Sequence, residues 1–573
     1  MLLPLLLALA VVLGLGSYFE TSDDGTLAWL FSGVLALKPV ASVPLYLHGY
    51  GHLLAAAYAA APAGPWLGLL LAGLLAAATV LWFAVLERLL RPHLRPGWLT
   101  LALVLFFGLG WLEHWLWFSH ARVALLLAAG GLLFAAQRPG RRGPLLLALA
   151  ALLAAWLVRP GLAVVAYAAV LQAALRLAGG WPRARPLLMS AGLLLTLAFG
   201  LGAWQQLPAE ARVQTRDARL ARILDYEQLR PHPRTAFDSL GTTAIGLWLL
   251  GDSAMVDPVL RGPVYRFDAA DFVGRVVPDK LKLRAELLLR DYFPVLLALL
   301  ATAGATLRQR RAGPRGFWLV QLAFAVGLMG VAGILKLPPR LALPLLDCWL
   351  LNNLIFWLSS LPPEASSAAF GESNGTFISA STQPASLIAG EGPGTRPLRL
   401  VLSPIQCLLS IGLLMAVTTL YAAKTWHRHQ VLQHEQQQHE KALAEISRKA
   451  GWVRVLAGSN DLLKGLSPFR AYYIGSGPVL QLTGWPAHDP SQARLRQTLT
   501  GTADQTECLL RLVRRVNPDS KASWFLTPET ARWLNRYIRL GGPGSPLVLE
   551  TLTPLAGSVS PMREYRVQLT RKP

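Results

Sequence analysis

Charged side chains are scarce in this chain: they make up 15% of its 573 residues, against roughly 25% in soluble proteins. Acidic residues are the scarcer sign, 32 against 54 lysines and arginines, which leaves a formal net charge of +22. Cysteine is nearly absent. Cys348, Cys407 and Cys508 stand far apart, which excludes a disulfide framework and a cysteine metal motif. Gly475-Ser476-Gly477 lacks the third glycine and the following helix of a phosphate-binding loop. There is no internal repeat of the kind many transporters carry. So little charge excludes a soluble enzyme and a disordered chain. The basic excess is read as loop residues gathered on one side of a membrane, and no nucleic-acid partner is expected.

Apolar residues fill the gap. They reach 53%, the mean hydropathy is +0.41, and runs near 20 residues recur. Such runs cross a bilayer core of about 30 Å. The expected fold is mainly α: a polytopic transmembrane helical bundle of about ten to eleven spans. Interfacial helices are expected in the first outer loop, and a small soluble α/β domain at the C-terminus. Met1 to Phe19 has no basic leader and no small-residue cleavage site, so it reads as a retained span. Thr26 to Leu37 and Val43 to Ala61 read as interfacial helices within an outer loop, 19–65. Further spans are expected near 66–86, 98–118, 122–136, 144–158, 161–178 and 187–204, completing an N-terminal module, 1–204. A polar loop, 205–291, follows. The second module, 292–423, holds spans near 292–307, 316–335, 341–361 and 399–423, with a Ser/Gly/Pro-rich insert at 362–397. Residues 424–451 read as a polar helical stalk and 452–573 as the α/β domain. Its strands are expected at Trp452–Ala457, Val479–Thr483, Ser523–Leu526, Pro546–Leu552 and Tyr565–Leu569. Thr527 is expected to cap a helix that opens at Pro528.

Arginine placement orients the bundle. Arg88, Arg91 and Arg95, then Arg138, Arg141 and Arg142, then Arg176, Arg183 and Arg185, then Arg308, Arg310, Arg311 and Arg315 follow alternate spans. The turns between them, 119–122, 159–161 and 336–340, are poorer in positive charge. The positive-inside rule then puts Glu20 to Asp24, the 205–291 loop and the C-terminal domain on the outer face. Lys424 and Arg428 conflict with this by following the last span on that face.

The chemistry is sought on the same face. Glu20, Asp23 and Asp24 end the first span beside interfacial segments, where a carboxylate can act as general base or hold a divalent cation. The bland alternative is that Asp23 or Asp24 caps the 26–37 helix. Glu113 and His114 are ionisable groups at membrane depth, which are functional candidates by default. Ser119, His120 and Arg122 form the turn after them. His48 and His52 share a helix face. With no third ligand nearby they read as lining a polar cleft rather than as a zinc site. Arg212, Arg216, Arg219 and Arg222 recur on one face, able to hold a lipid phosphate or simply to be solvated. Asp252 lies at a helix break.

A first span, an outer loop with paired acids, two interfacial helices and then many spans resembles the C-type glycosyltransferase superfamily (GT-C). Phe19-Glu20-Thr21-Ser22-Asp23-Asp24, then His48-Gly49-Tyr50-Gly51-His52, then Phe118-Ser119-His120-Ala121-Arg122 are similar to a group of uncharacterised bacterial members. So are Asp225-Tyr226 and the stretch from Leu240-Gly241 through Trp248 to Asp252. One departure is apolar Ala244-Ile245, where those relatives carry Asn-Asp. The resemblance implies sugar transfer from a polyprenyl-phosphate-linked donor to a glycan, lipid or protein acceptor. It would occur with inversion, at the outer face of a bacterial inner membrane, leaving the C-terminal domain in the periplasm. It makes Asp23 or Asp24 the base and allows a divalent metal beside it. Glu20, His48, His52, Glu113, His114, His120, Arg122, Arg216, Arg219 and Asp252 become candidate substrate-binding residues. A transporter or flippase for lipid-linked glycans and a non-enzymatic membrane scaffold are the competing functions.

Overall fold

The computed structural model describes residues 2–44, 46, 49–308, 314–359, 404–449, 453–458, 462–475, 477–514, 522–540, 547–555 and 562–569. His48 and the 362–397 insert lie outside the described residues. Helices dominate. Six are long and apolar enough to cross a membrane: Trp66–Leu90, Pro96–Leu116, Pro160–Leu177, Trp181–Gln205, Arg315–Ile334 and Pro339–Ser359. Ala269–Asp291 and Phe293–Arg308 meet at 89° and make a seventh if counted as one broken span. Three further apolar helices, Leu2–Gly14, His120–Ala136 and Arg142–Val158, have 13, 17 and 17 residues. At 1.5 Å per residue, 17 residues reach roughly 26 Å, short of the hydrocarbon thickness. The described residues therefore give six or seven helices of spanning length, where the sequence expects ten to eleven spans.

The short His120–Ala136 helix is the hub of the bundle. Phe134 is its one residue that is not buried, as an all-round apolar helix requires. It packs on Trp66–Leu90, Arg142–Val158, Pro160–Leu177 and Pro339–Ser359. Gly130 and Gly131 make this possible. A Cβ on either would approach Trp82 or Ala151 to 2.7 Å, so small residues bring the backbones together.

The expected last span and stalk form one helix, Pro404–Arg448, of 45 residues. Its buried residues Tyr421, Thr425, His429, Leu432 and His439 recur at helical spacing and seat one face on the rest of the chain. Beyond it lies a five-stranded sheet in the order Val479–Gln481, Val453–Ala457, Ala522–Leu526, Arg563–Leu569, Leu547–Pro554. The first three are parallel and the last two pair antiparallel. Every residue of Val453–Ala457 is buried, as suits a strand covered on both faces. Thr527 Oγ1 accepts from the amide of Thr530 at the start of Pro528–Leu540. Ala244 and Ile245 are fully buried in the core shared by the 205–291 segment and this sheet, which accounts for their apolar character.

A small backbone junction positions the first-loop acids. Tyr18–Phe19 pairs in parallel with Trp117–Phe118. The Phe19 amide donates to the Leu466 carbonyl at 2.8 Å and the Gly465 amide donates back to Phe19 at 3.0 Å. The Glu20 amide donates to the Phe118 carbonyl at 2.9 Å. Residues 18–20, 117–118 and 465–466 are thereby fixed side by side.

Candidate functional site

Past this junction opens a cavity of about 860 Å³. Its wall is assembled from the ends of many elements: Glu20 to Asp23 and Thr26, Tyr46, Glu113, His120 to Arg122, Arg159, Asp217 and Asp225, Arg290 to Tyr292, Lys336 and Pro338 to Leu341, Arg428, Leu462 to Lys464, Gln481, and Thr483 to Pro486. The turns at 119–122, 159–161 and 336–340 all reach it.

The three first-loop acids have separate fates. Helix Ser22–Ser32 starts earlier than the expected 26–37, with Thr21 at the N-cap position and Asp23 and Asp24 in its first turn. Neither aspartate is the cap. Glu20 forks onto Arg122, accepting from Nε at 2.6 Å and Nη2 at 3.1 Å. Asp23 faces the cavity. Its oxygens accept from Arg340 Nη1 at 3.1 Å and Trp485 Nε1 at 3.0 Å. Asp24 is fully buried. Its Oδ1 meets the His120 amide at 2.9 Å and the ring Nδ1 at 2.6 Å, and its Oδ2 accepts from Thr21 at 3.1 Å. Burial opposes its charge, but His120 outweighs this and holds the carboxyl below the usual range.

This pairing assigns chemistry to His120. With Nδ1 donating to the Asp24 carboxylate, the ring is the Nε2-basic tautomer. A buried carboxylate that orients an imidazole in this way is the support a general base needs. His120 stacks edge-on to Tyr46 at 5.1 Å, and Tyr46 contacts Trp485 at 5.0 Å. Arg159 lies over the Tyr46 ring at 4.4 Å, and its Nη1 is buried with no hydrogen-bond partner among the described residues. Burial, with Asp23 second, raises the Tyr46 phenol, so it stays protonated.

The remaining candidates distribute unevenly. Glu113 lines the cavity and is met by Arg428 Nη1 at 2.7 Å, Tyr421 at 3.1 Å and Lys424 at 3.6 Å. Arg428 also binds Asp291 at 2.6 Å. His114 points away from the cavity, into the bundle: Nε2 meets Asp347 at 2.8 Å, and Nδ1 accepts from Arg122 at 3.2 Å. A π-helical turn, Phe107–Trp111, precedes this pair and shifts the helix register just before its ionisable residues. His52 is exposed on Gly51–Ala60 and does not line the cavity. Arg216, Arg219 and Asp252 also stand outside the lining. Arg216 donates to the Leu250 carbonyl and pairs with Asp257 at 2.9 Å, and Arg219 reaches the Arg261 carbonyl. Asp252 caps Ser253–Arg261 and accepts from Thr506. The face of Pro208–Leu224 that meets the cavity carries Asp217 and Ala221 instead.

A divalent metal does not fit these residues. Among those described, no three His, Cys, Asp or Glu side chains gather to hold an ion. Glu20, Asp23 and Asp24 are each engaged by a different positive or ring partner.

Sequence reasoning missed Tyr46, Arg159, Asp217, Arg340 and Trp485. Asp217 left a signal, as an acid within the Arg212–Arg222 stripe. Burial pushes it up to about 6, with Asp225 and Asp23 adding to the rise and Arg159 opposing it. The folded chain thus holds this proton more tightly than the unfolded one. Stability falls as pH climbs through the window from the ordinary carboxylate value to about 6. Asp217→Asn is expected to raise the thermal midpoint above that window, by at most about 3 kcal/mol of stability, and to leave it unchanged near pH 4. Melting curves in detergent at both pH values check this; an equal shift at both removes the explanation.

Comparison with protein-family models, with curated proteins and with solved structures finds no match for this chain.

Proposed function

We propose that the chain is a membrane-embedded glycosyltransferase of GT-C type that takes a sugar from a polyprenyl-phosphate donor. The observation that carries this is His120, backed by the buried Asp24, at the wall of a cavity that also holds Asp23, Arg340 and the Arg159 Nη1 that has no partner among the described residues. Aromatic Tyr46, Trp485, Trp248 and Trp29 line the same space, which suits the apolar faces of a sugar ring. Arginines suit a phosphate.

In this reading Asp24 acts through His120. Nε2 accepts the proton of the acceptor hydroxyl as its oxygen bonds to the anomeric carbon. The bond from that carbon to the phosphate oxygen breaks, and its electron pair leaves on polyprenyl phosphate. Arg159 and Arg340 stabilise the departing charge. Attack from the face opposite the leaving group inverts the anomeric centre. Asp23, held by Arg340 and Trp485, orients the acceptor. The sugar-bearing face is then the outer one, with the bundle in a bacterial inner membrane and the sheet unit as a periplasmic α/β domain.

A flippase for lipid-linked glycans is favoured by one feature, the 89° break between Ala269–Asp291 and Phe293–Arg308 beside Tyr292 of the cavity. The two separate on reconstituted protein supplied with a labelled polyprenyl-phosphate sugar. Transfer releases free polyprenyl phosphate, and Asp23→Asn slows that release. Movement of intact donor across the vesicle, without cleavage, replaces the transferase by the flippase.

A further inference from the structure

The His120–Ala136 helix has a second cavity at its other end, about 150 Å³ in volume. Arg138, Arg141, Arg142 and Arg183 line it, and among the described residues no carboxylate does. None of the four has an acidic partner among the described residues. Arg138 donates to the Phe134 carbonyl and to Gln137, and stacks on the Phe134 ring at 3.7 Å. Burial, then Arg88 and Arg141, hold its guanidinium below the ordinary value, so like charges crowd here without relief. The turns 87–96, 137–142 and 176–185 together carry nine arginines and a single carboxylate, Glu87, and Glu87 is taken by Arg91.

Two helices begin at this cavity, Arg142–Val158 and Trp181–Gln205, and neither has an acid in its first turn. Two helix N-termini and four arginines therefore add their positive potential at one place. The floor is apolar, from Ala135, Leu145 and Leu187. Close by in the chain, Leu146, Leu147 and Met189 are exposed by 65%, 45% and 57%. A positively charged socket that opens onto bare apolar helix surface matches a molecule with a phosphate at one end and hydrocarbon at the other.

We propose that this cavity binds the phosphate of an anionic membrane lipid, whose acyl chains lie along the exposed leucines. Loop arginines that merely orient a protein need no shared cavity. Here two separate turns, 137–142 and 176–185, bring theirs to one. The site is independent of the sugar-transfer cavity and of the function proposed for it.

The test uses the full chain purified in neutral detergent, with retained lipid counted by native mass spectrometry. Phosphatidylglycerol is expected to stay bound and zwitterionic phosphatidylcholine to be lost. The triple variant Arg138→Gln, Arg142→Gln, Arg183→Gln is expected to weaken phosphatidylglycerol binding roughly a hundredfold. A matched variant outside the cavity, Arg91→Gln, Arg95→Gln, Arg185→Gln, leaves it unchanged. Should the cavity variant not fold, Arg142→Lys keeps the charge but loses the planar fork, with roughly tenfold weaker binding expected. Equal losses in both triple variants, equal retention of the two lipids, or unchanged binding in Arg142→Lys overturns the proposal. Displacement of phosphatidylglycerol by inorganic phosphate alone does so too, because it marks a free-anion site.

Discussion

Replacing His120 by Gln is expected to lower sugar transfer by about 10²–10⁴-fold, the usual contribution of a positioned general base. The amide keeps much of the ring's volume and can still donate toward Asp24, but it has no atom that takes up a proton near neutral pH. Asp24→Asn is expected to act on both rate and stability, because Asp24 is fully buried and makes both the amide and ring contacts to His120. Asp23→Asn should act differently. Its oxygens meet Arg340 and Trp485 at the cavity wall, so the loss falls more on KM than on the pH profile. Single-turnover rates across pH, on variants that match the wild type in circular dichroism and gel filtration, decide the roles. Full activity in His120→Gln beside a dead Asp23→Asn hands the base role to Asp23.

The second large effect is structural. Arg122→Met is expected to destabilise the chain by about 3–5 kcal/mol, as removal of one partner from a buried ion pair does. Arg122 is 1% exposed and holds Glu20 with two nitrogens and His114 with the third. Its loss leaves Glu20 charged and alone at the junction of residues 18–20 with 117–118. Adding Glu20→Gln should then recover part of the loss, a coupling that thermal melts of the two single variants and the double variant measure. A single variant that melts like the wild type, or a double variant with no recovery, removes the ion pair from the account.

The long apolar helices were legible because their runs are nearly unbroken; those within 205–291, read as a polar loop, were not. The five strands fall within a few residues of their expected bounds because valine, leucine and aromatic side chains recur in them between turn residues. Pairing partners were not legible. Glu20 and Arg122 are 102 positions apart, and Asp23 and Arg340 are 317 apart, distances over which no local pattern speaks. Asp23 and Asp24 look equivalent in sequence. A 100° step between helix neighbours turns one to the cavity and the other into the core. The Arg212–Arg222 stripe misled because helical periodicity identifies a face without saying what it faces. Lys424 and Arg428 conflicted with the charge alternation, and both turn out to be committed to Glu113 and Asp291. The alternation rule counts loop charge, and these two charges are neutralised within the fold.

The strand-like junction at Phe19 has a consequence for biogenesis. Its third member, Gly465 and Leu466, leaves the ribosome more than 400 residues after Phe19, and Trp485 later still. A nascent chain whose apolar helices have all inserted still has a gaping, half-walled basin in which Asp23 lacks its indole partner. The wall closes only once residues 462–486 have been synthesised.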